Sequence, residues 1–371
     1  MGREWILQAG PLAVPSLRCA SNLACCRNSD SSLILDRKVS VAPMMDWTDR
    51  HCRVFLRCFA PRALLYTEMI TAAAIERGDR AKLLRFSPVE QPVALQVGGS
   101  DPAQLALAAR AGEDAGYREI NLNCGCPSDR VSAGAFGACL METPQLVADC
   151  IAAMRAAVQV PVTVKMRIGV VNRHRDKTVD ATAAMLRYDD EDFAQLALFT
   201  RLVVAAGAAA VSVHARKAVL GGLSPHDNRT VPPLRYDIVR RLREAFPTVA
   251  LAVNGGIRAV APALEALAWC DGVMIGREAY HRPYLLSELQ QAVYPDDQWC
   301  RPGPQEVLER MADYAATELA GGERLSAITR HMFGLVSHTS GARDYRRLMA
   351  EGARGAGVEL FAQASRLVPQ D

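Results

Sequence analysis

The sequence predicts an α/β protein, a (β/α)8 TIM barrel followed by a C-terminal all-helical bundle domain. Eight short runs rich in Val, Ile and Leu recur along the chain, as parallel strands buried on both faces require. Helical patterns separate most of these runs. A third observation concerns the strand ends, where the runs give way to polar residues or glycines. In barrels of this class the chemistry occurs at the carboxyl ends of the strands.

Each of the eight predicted strands ends in a residue able to bind or react. The first four strands are 39–42 before Pro43, 63–66 before Thr67, 92–95 before Gln96, and 119–120 before the segment 121–128. The last four are 161–164 before Lys165, 210–213 before His214, 249–253 before Asn254, and 272–275 before Gly276. The clearest intervening helix begins at Thr143 and Pro144, an N-cap and a first-turn residue.

Length supports a barrel with a smaller second domain, because 371 residues exceed one ordinary core. We predict an N-terminal extension at 1–35, the barrel at 36–281 and the helical domain at 282–371. The extension is poor in acidic residues and contains Arg and Ser. It is therefore either a transit peptide for a plastid or mitochondrion, or a disordered extension of a cytoplasmic protein.

Composition narrows the function classes. No run approaches the ~20 apolar residues that span a bilayer, so we predict no membrane partner. Eleven scattered cysteines indicate a reducing compartment. Cys124 and Cys126 have one residue between them and no second Cys or His pair at ligand spacing, so we predict no metal. A net charge of +3 is too small to prove a nucleic-acid partner. We also expect a monomer.

The segment 121–128 (NLNCGCPS) is the most informative stretch of the chain. It places two asparagines and two cysteines where a buried strand gives way to a loop containing Gly125 and Pro127. Taken alone, it is as well explained by a turn of small polar residues as by a catalytic loop. The other strand ends favour the catalytic loop.

The last two strand ends predict a phosphate site. Asn254-Gly255-Gly256 and Gly276-Arg277 follow strands seven and eight, where barrels frequently bind phosphate. Glycines let backbone N–H groups approach the oxygens, and an arginine adds a planar cationic fork. A phosphate anchor with Lys165, His214 and Gln96 around the rim suits flavin mononucleotide (FMN).

The helical domain carries Arg343, Arg346 and Arg347 at i, i+3 and i+4, which places them on one face. Two interpretations remain open at this point. The face is either solvated surface or a grip on a phosphate backbone.

The chain resembles the tRNA-dihydrouridine synthases, and within that family the A-type branch. The matching stretches run in order from about Val39 to about Leu348. They include SVAPMMDWTDRHCR at 40–53, PVALQVGGS at 92–100, EINLNCGCPSDRV at 119–131, VTVKMRIG at 162–169, HARK at 214–217, NGGI at 254–257, DGVMIGREAY at 271–280 and GARDYRRL at 341–348.

The resemblance implies a role for individual residues. The family's catalytic cysteine corresponds to Cys126. The FMN contacts correspond to Pro43, Met44, Met45, Gln96, Lys165, His214, Asn254, Gly255, Gly256, Gly276 and Arg277. The tRNA contacts correspond to Asn123, His226, Arg229, Arg343 and Arg346, although position 226 is more usually a lysine.

Two features depart from the family pattern. Cys124 replaces a usually aliphatic residue, and we expect its side chain to point away from Cys126 into packing. The segment 170–199 is longer than its counterpart in relatives. Since it follows the fifth strand, it should overhang the active face, either as an RNA-facing lid or as a wrongly assigned exon.

The resemblance also implies the reaction, which is the reduction of uridine to 5,6-dihydrouridine in the tRNA D-loop, at positions 20 and 20a. Hydride would pass from flavin N5 to C6, and Cys126 would protonate C5, with NADPH as reductant. Free thiols suit this role because they are mostly protonated at neutral pH. The target base would first leave its stack.

Two other functions fit the sequence less well. An FMN barrel acting on a small pyrimidine is disfavoured by the arginine face of the helical domain. An RNA-binding protein without catalysis is disfavoured by Cys126, Lys165 and the phosphate site.

Overall fold

The computed structural model describes residues 35–128, 136–337 and 341–369. The N-terminal extension predicted at 1–35 lies outside the described residues, apart from Leu35. Residues from Asp36 onward belong to one compact unit. The boundary that we predicted between residues 281 and 282 stays a prediction.

The described residues form a closed parallel barrel. In chain order, the strands are β1 (Val39–Val41), β2 (Leu64–Thr71), β3 (Val93–Gly98), β4 (Glu119–Cys124), β5 (Val162–Arg167), β6 (Val170–Asn172), β7 (Ala210–His214), β8 (Ala218–Leu220), β9 (Ala250–Asn254) and β10 (Gly272–Ile275). The barrel order is β1-β10-β9-β7-β5-β4-β3-β2. The predicted TIM barrel and its eight strands are confirmed.

Helices follow most of the barrel strands. In chain order, the α-helices of the described residues are α1 (Arg50–Arg57), α2 (Ala72–Arg77), α3 (Arg80–Leu83), α4 (Pro102–Ala115), α5 (Pro144–Ala157), α6 (Ala181–Leu186), α7 (Asp190–Ala205), α8 (Tyr236–Ala245), α9 (Val260–Leu267), α10 (Arg277–His281), α11 (Tyr284–Val293), α12 (Pro304–Ala320), α13 (Leu325–Thr329), α14 (Ala342–Arg347) and α15 (Glu359–Ser365). The first turn of α5 carries the expected Pro144.

Side chains of β4 show how one strand serves both the core and the site. Successive side chains of a strand point to opposite faces. Ile120, Leu122 and Cys124 belong to the fully buried hydrophobic core. The alternate residues Glu119 and Asn121 are also buried, but they form hydrogen bonds with polar side chains of neighbouring strands. The strand runs to Cys124, so both asparagines lie within it rather than in the loop.

The C-terminal helices differ from the predicted pattern in one place. The sequence pattern predicts a helix from about Leu325 to Val336, but this helix ends at Thr329. Beyond it, the N–H groups of Met332 and Leu335 bond to carbonyls three residues earlier, which is turn geometry. Arg330 and His331 at this point bind Asp49, the N-cap of α1, at 2.5 and 2.9 Å. These contacts hold Arg330 and His331 in a turn, where a continued helix would place them elsewhere.

The segment 170–199 contains a strand outside the barrel, β6, and a helix of the barrel, α7. β6 pairs in parallel with β8 as a separate two-stranded sheet. Lys217 Nζ binds Asp192 at 2.9 Å and the carbonyl of Ala184 at 3.1 Å, which ties α6 and α7 to the chain after β7. Leu196 and Phe199 of α7 are buried in the core. Since α7 is the helix between β5 and β7, the second half of this segment is part of the barrel.

Candidate active site

The predicted strand-end residues converge at the carboxyl end of the barrel. The parallel register pairs Asn123 with Lys165 and His214 with Asn254. It also pairs Arg167, the last residue of β5, with His214. Gln96 reaches the same level, because its Oε1 accepts a hydrogen bond from Asn123 Nδ2 at 2.8 Å. Consecutive strands therefore present these side chains to one mouth.

The loop that carries Cys126 is fixed by hydrogen bonds on both sides. Asn123 Oδ1 accepts from the N–H groups of Gly125 and Cys126 at 3.1 and 3.0 Å. Arg167 Nε donates to the carbonyl of Gly125 at 3.1 Å. The N–H of Ala138 donates to the carbonyl of Cys126 at 2.9 Å. Cys126 is partly exposed and thus accessible from the mouth.

Cys124 has a different environment from Cys126. It is fully buried in the core, and burial raises the pKa of its thiol well above the usual range. The neighbouring thiols Cys139 and Cys150 add to this effect on the pKa. The structure confirms that Cys124 is directed into packing. It leaves Cys126 as the accessible thiol of this pair.

Positive charge surrounds Cys126. Burial, together with the charge of Arg167, lowers the pKa of Lys165 to about 7, whereas Cys126 opposes the shift. Burial lowers the pKa of Arg167 to about 9. Burial, with the charges of Arg167 and Lys165, also holds the pKa of His214 well below its usual range, so this ring is neutral at neutral pH. Neighbouring positive charges lower the pKa of Lys165 and of His214, so an anionic ligand would favour their protonated forms.

The two glycine turns beside these bases differ in the space that they leave for a ligand. Gly255 and Gly256 have φ values of 113° and 71°, a region that favours glycine. A Cβ at Gly255 would lie 2.7 Å from the His214 ring, so no side chain fits there. A Cβ at Gly276, in contrast, would meet no atom within 4 Å. The space beside Gly276 is therefore accessible to a ligand.

A group of arginines lines the same side of the mouth. The pKa of Arg216 is lowered by burial and by the charges of Arg277 and Arg258, despite an opposing contribution from Tyr236. Burial and Arg277 lower the pKa of Arg229. Arg216 Nε is buried without a hydrogen-bond partner among the described residues. A phosphate would supply the missing acceptor, so these residues fit the phosphate end of a flavin mononucleotide.

The predicted residues after β1 form a tight turn at the mouth. The N–H groups of Trp47 and Thr48 donate to the carbonyl of Met44 at 3.1 and 2.9 Å. Pro43 is partly buried, Met44 is buried, and Met45 is 56% exposed. An exposed methionine in a turn beside a polar mouth is an apolar surface available for contact.

The residues predicted to bind tRNA lie in two regions. His226 and Arg229 are exposed in the segment after β8, and the charge of Arg229 acts on Lys165 at the mouth. Arg343 and Arg346 are exposed on α14, as is Arg347. No hydrogen bond or ion pair in the described part of the chain connects these α14 arginines with the mouth.

Sequence reasoning missed the supporting residues. It assigned no role to Arg167, which holds the Gly125 carbonyl, or to Glu119 and Thr163 inside the barrel. A usable signal was present, since Glu119, Asn121 and Asn123 are polar at every second position of an otherwise apolar strand. No helix in the described ranges is long and apolar enough to cross a membrane. Nor do those ranges contain a cluster of His, Cys, Asp or Glu that could hold a metal ion.

Comparison with known proteins shows the family of this chain. The model of the dihydrouridine synthase (Dus) family matches residues 40–366. A tRNA-dihydrouridine(20/20a) synthase of Xanthomonas axonopodis pv. citri is 53% identical over 329 residues, which are 88% of this chain and 92% of that protein. A tRNA-dihydrouridine(20/20a) synthase of Synechocystis sp. is 48% identical over 338 residues, 91% of this chain and 95% of that protein.

A solved structure shows the likeness of fold alone. The complex of 2-naphthoyl-CoA reductase with 2-naphthoyl-CoA has a TM-score of 0.50 and 10% identity, and covers 69% of this chain and 50% of that one. The family model and the relatives, in contrast, match most of the chain, and the two relatives are 53% and 48% identical to it. The chain therefore belongs to the dihydrouridine synthase family.

Proposed function

We propose that this protein reduces uridine to 5,6-dihydrouridine in the D-loop of tRNA, at the positions 20 and 20a named for its relatives. We further propose FMN as the bound cofactor and NADPH as the reductant. The observation that carries the proposal is the partly exposed Cys126 at a mouth that also holds Lys165 and the glycine turns. Cys126 would supply the proton of this reaction, and the glycine turns would hold the phosphate of the flavin that supplies the hydride.

The cofactor would be held from two sides. Gly255, Gly256, Gly276, Arg277 and Asn254 would receive its phosphate end, where Arg216 Nε still lacks an acceptor among the described residues. Gln96, Lys165 and His214 would face the ring system, with Pro43, Met44 and Met45 beside it. When bound and reduced, a flavin supplies the hydride for the base. An ammonium at Lys165 would stabilise negative charge on the ring.

Cys126 would hold the proton that C5 of the uracil ring receives. A base reduced at C6 carries negative charge that delocalises toward the C4 carbonyl, so a proton donor must be near C5. The hydrogen bonds of Asn123 and Arg167 hold the Cys126 loop in place before the substrate arrives. Preformed geometry of this kind reduces the entropy lost in the reaction.

The RNA would be bound by charge and shape. Arg229 stands beside the mouth, where its charge acts on Lys165. His226 is exposed near Arg229 in the sequence, and Arg343 and Arg346 are exposed on α14. Arginine side chains bind phosphates without regard to sequence. Phosphate contacts suit an enzyme that extracts a base from a structured loop, because they recognise the shape of the tRNA rather than its sequence.

The test is reconstitution with defined components. Purified protein should be yellow, with absorbance near ~450 nm as oxidised flavins show, and should release FMN on denaturation. With NADPH it should form dihydrouridine in unmodified tRNA and should leave free uridine and uridine monophosphate unchanged. Colourless protein that cannot be reconstituted with FMN would exclude the proposal. Turnover of the small pyrimidines, but not of tRNA, would favour the small-molecule oxidoreductase instead.

A further inference from the structure

A continuous file of hydrogen-bonded side chains crosses the barrel interior from its base to the Cys126 loop. We call it the polar file and define it as Glu119, Thr163, Asn121, Gln96 and Asn123. Thr163 Oγ1 donates to Glu119 Oε1 at 2.6 Å, and Asn121 Nδ2 donates to Thr163 Oγ1 at 2.9 Å. Gln96 Nε2 donates to Asn121 Oδ1 at 2.7 Å. Asn123 Nδ2 donates to Gln96 Oε1 at 2.8 Å, and Asn123 Oδ1 accepts from Cys126 N–H at 3.0 Å.

The lower end of the polar file sets its direction. Glu119 is buried and pairs with Arg37 at 2.7 Å, so its carboxylate can only accept hydrogen bonds. Thr163 has one hydroxyl proton and gives it to Glu119. The Thr163 oxygen must therefore accept, and only the NH2 group of Asn121 can face it. The Asn121 oxygen then faces Gln96 and must accept from its NH2 group, and the Gln96 oxygen must accept from the NH2 group of Asn123 in the same way.

The upper end requires the same direction. The backbone N–H groups of Gly125 and Cys126 can only donate, so they need the oxygen of Asn123. That requirement turns the NH2 group of Asn123 toward Gln96. The Glu119 carboxylate can only accept, and the backbone N–H groups at the other end can only donate. Both ends therefore require the same orientation of the amides of Asn121, Gln96 and Asn123. Every alternative orientation would place two donors or two acceptors face to face in a buried site.

We propose that Glu119 and Thr163 are positioning residues, which act through the amides of the polar file to fix the Cys126 loop and the orientation of Gln96. The inference rests on the proposed function for the role of Cys126, and it extends that role to residues at the base of the barrel. Asn121 and Gln96 transmit the constraint. None of the positioning residues needs to touch substrate or cofactor.

Tyr66 provides an internal control for this inference. Its hydroxyl donates to the same Glu119 oxygen at 2.6 Å, as Thr163 does. No hydrogen bond in the described part of the chain links Tyr66 with the amides of the polar file. Losing the Tyr66 hydroxyl removes its hydrogen bonds with Glu119 and Thr163, but it keeps every hydrogen bond between members of the polar file. Losing the Thr163 hydroxyl cuts the file between Glu119 and Asn121.

The experiment compares Thr163→Val, Thr163→Ser and Tyr66→Phe in the flavin-loaded protein. The first readout is the rate at which iodoacetamide alkylates Cys126, followed on its peptide by mass spectrometry. The second is the single-turnover rate of dihydrouridine formation by pre-reduced protein with saturating tRNA. The rate of flavin reduction by NADPH and the tRNA dissociation constant are measured alongside.

The polar file predicts a specific pattern. Thr163→Val should alkylate roughly 2- to 10-fold faster, the effect of losing one hydrogen bond, because its Cys126 loop is less constrained. Its single-turnover rate should fall about 10- to 100-fold, with unchanged tRNA affinity. Thr163→Ser keeps the hydroxyl and should restore wild-type values. Tyr66→Phe should match the wild type in both readouts.

Two outcomes would overturn the inference. One is wild-type alkylation and turnover in Thr163→Val, and the other is an equal loss in Thr163→Val and Tyr66→Phe. If Thr163→Val does not fold, Thr163→Ala removes the same hydroxyl without placing a methyl group among the polar side chains and decides the question. A wild-type protein that forms no dihydrouridine would refute the proposed function, and the alkylation rates would still test the polar file.

Discussion

The side-chain oxygen of Asn123 accepts a hydrogen bond from the backbone N–H of Cys126 at 3.0 Å. Asn123, the last inward-facing residue of β4, thus holds the backbone of the residue that carries the accessible thiol. The same side chain donates to Gln96 on the adjacent strand β3. Loop and barrel wall are therefore connected through one amide, and the reactivity of the loop depends on residues deep in the barrel.

The open space beside Gly276 gives a test of cofactor binding that is separate from folding. A Cβ at this position meets no protein atom within 4 Å, and the residue has a negative φ of −99°. Gly276→Ala should fold normally and should bind FMN at least about ten-fold more weakly, because the methyl group occupies space that the ligand needs. Fluorescence titration with FMN measures this affinity.

Gly256→Ala is the matched comparison for Gly276→Ala. Its φ of 71° and the close approach of Leu234 make any side chain strained in the protein itself. This variant should lose thermal stability as well as FMN affinity. Equal FMN affinity of Gly276→Ala and the wild type would show that the cofactor lies elsewhere.

Lys165 predicts a pH dependence of stability in the protein freed of flavin. Burial and Arg167 lower its pKa to about 7 in the folded chain, against about 10.4 in an unfolded one. Between these values the unfolded state binds more protons, so the lysine costs stability at low pH and this cost declines as pH rises. Lys165→Met should therefore be more stable than the wild type at pH 6, and the difference should shrink toward pH 10.

Urea denaturation at several pH values measures the difference between Lys165→Met and the wild type. The comparison cancels the titrating groups that do not interact with Lys165, because both proteins share them. A constant difference across this pH range would mean that Lys165 titrates at its ordinary pKa.

The exposed arginines of α14 should contribute to RNA binding through charge. Replacing Arg343 and Arg346 by Ala should raise the tRNA dissociation constant and flatten its log-log salt dependence by about one unit for each phosphate that these arginines neutralise. FMN content and NADPH oxidation should be unchanged, because no hydrogen bond or ion pair in the described ranges connects these residues with the mouth.

Arg77 and Arg201 are the matched controls for this test. Both are exposed arginines outside the C-terminal helices, so Arg77→Ala with Arg201→Ala removes equal charge. If both double variants lower the affinity and the salt slope equally, the α14 arginines act only through net charge. If neither changes them, these arginines are solvated surface.

Asp49 links α1 of the barrel to the chain after α13. Burial alone would raise the pKa of this carboxyl, but His331, the N–H of Cys52 and Arg330 hold it well below its usual range. A lowered pKa gives stability that is present at neutral pH and is lost as pH falls through the folded value. Asp49→Asn keeps an N-cap side chain and should cost about 1–3 kcal/mol at pH 7.

The cost of Asp49→Asn should decrease below pH ~4, because the Asp49 carboxyl of the unfolded wild type starts to take up a proton there while that of the folded protein stays ionised. Asp313→Asn, at an exposed acid of α12, controls for the change in net charge. Denaturation at pH 7 and pH 3.5 measures both effects. Equal stability of Asp49→Asn and the wild type at pH 7 would show that the contacts of Asp49 with Arg330 and His331 contribute nothing.

The sequence was sufficient for the barrel and its mouth because both follow from local patterns. Runs of Val, Ile and Leu identify buried parallel strands, and the residues after each run lie at one end by the rules of parallel topology. The expected grouping of Gln96, Lys165, His214 and Asn254 needed no more than strand order. The burial of Cys124 follows from the alternation of side chains along β4.

Contacts between segments that are distant in the sequence could not be predicted from local sequence patterns. The hydrogen bond of Asp49 with His331 joins residues 282 positions apart, and it accounts for the end of α13 where a longer helix was expected. The pairing of β6 with β8 depends on two three-residue segments that have no signature of their own. Arg167 was visible as a strand end, but its bond to the Gly125 carbonyl is a matter of loop conformation.

The most direct test of the central claim is a map of dihydrouridine in tRNA from cells that lack the gene and are complemented with wild type, Cys126→Ala or Cys124→Ala. Positions 20 and 20a should lose dihydrouridine without the gene and regain it with wild type and with Cys124→Ala. Cys126→Ala should fail to restore it, since a missing general acid slows a reaction roughly 10²- to 10⁴-fold. Unchanged dihydrouridine at these positions in the deletion strain, or full restoration by Cys126→Ala, would contradict the account.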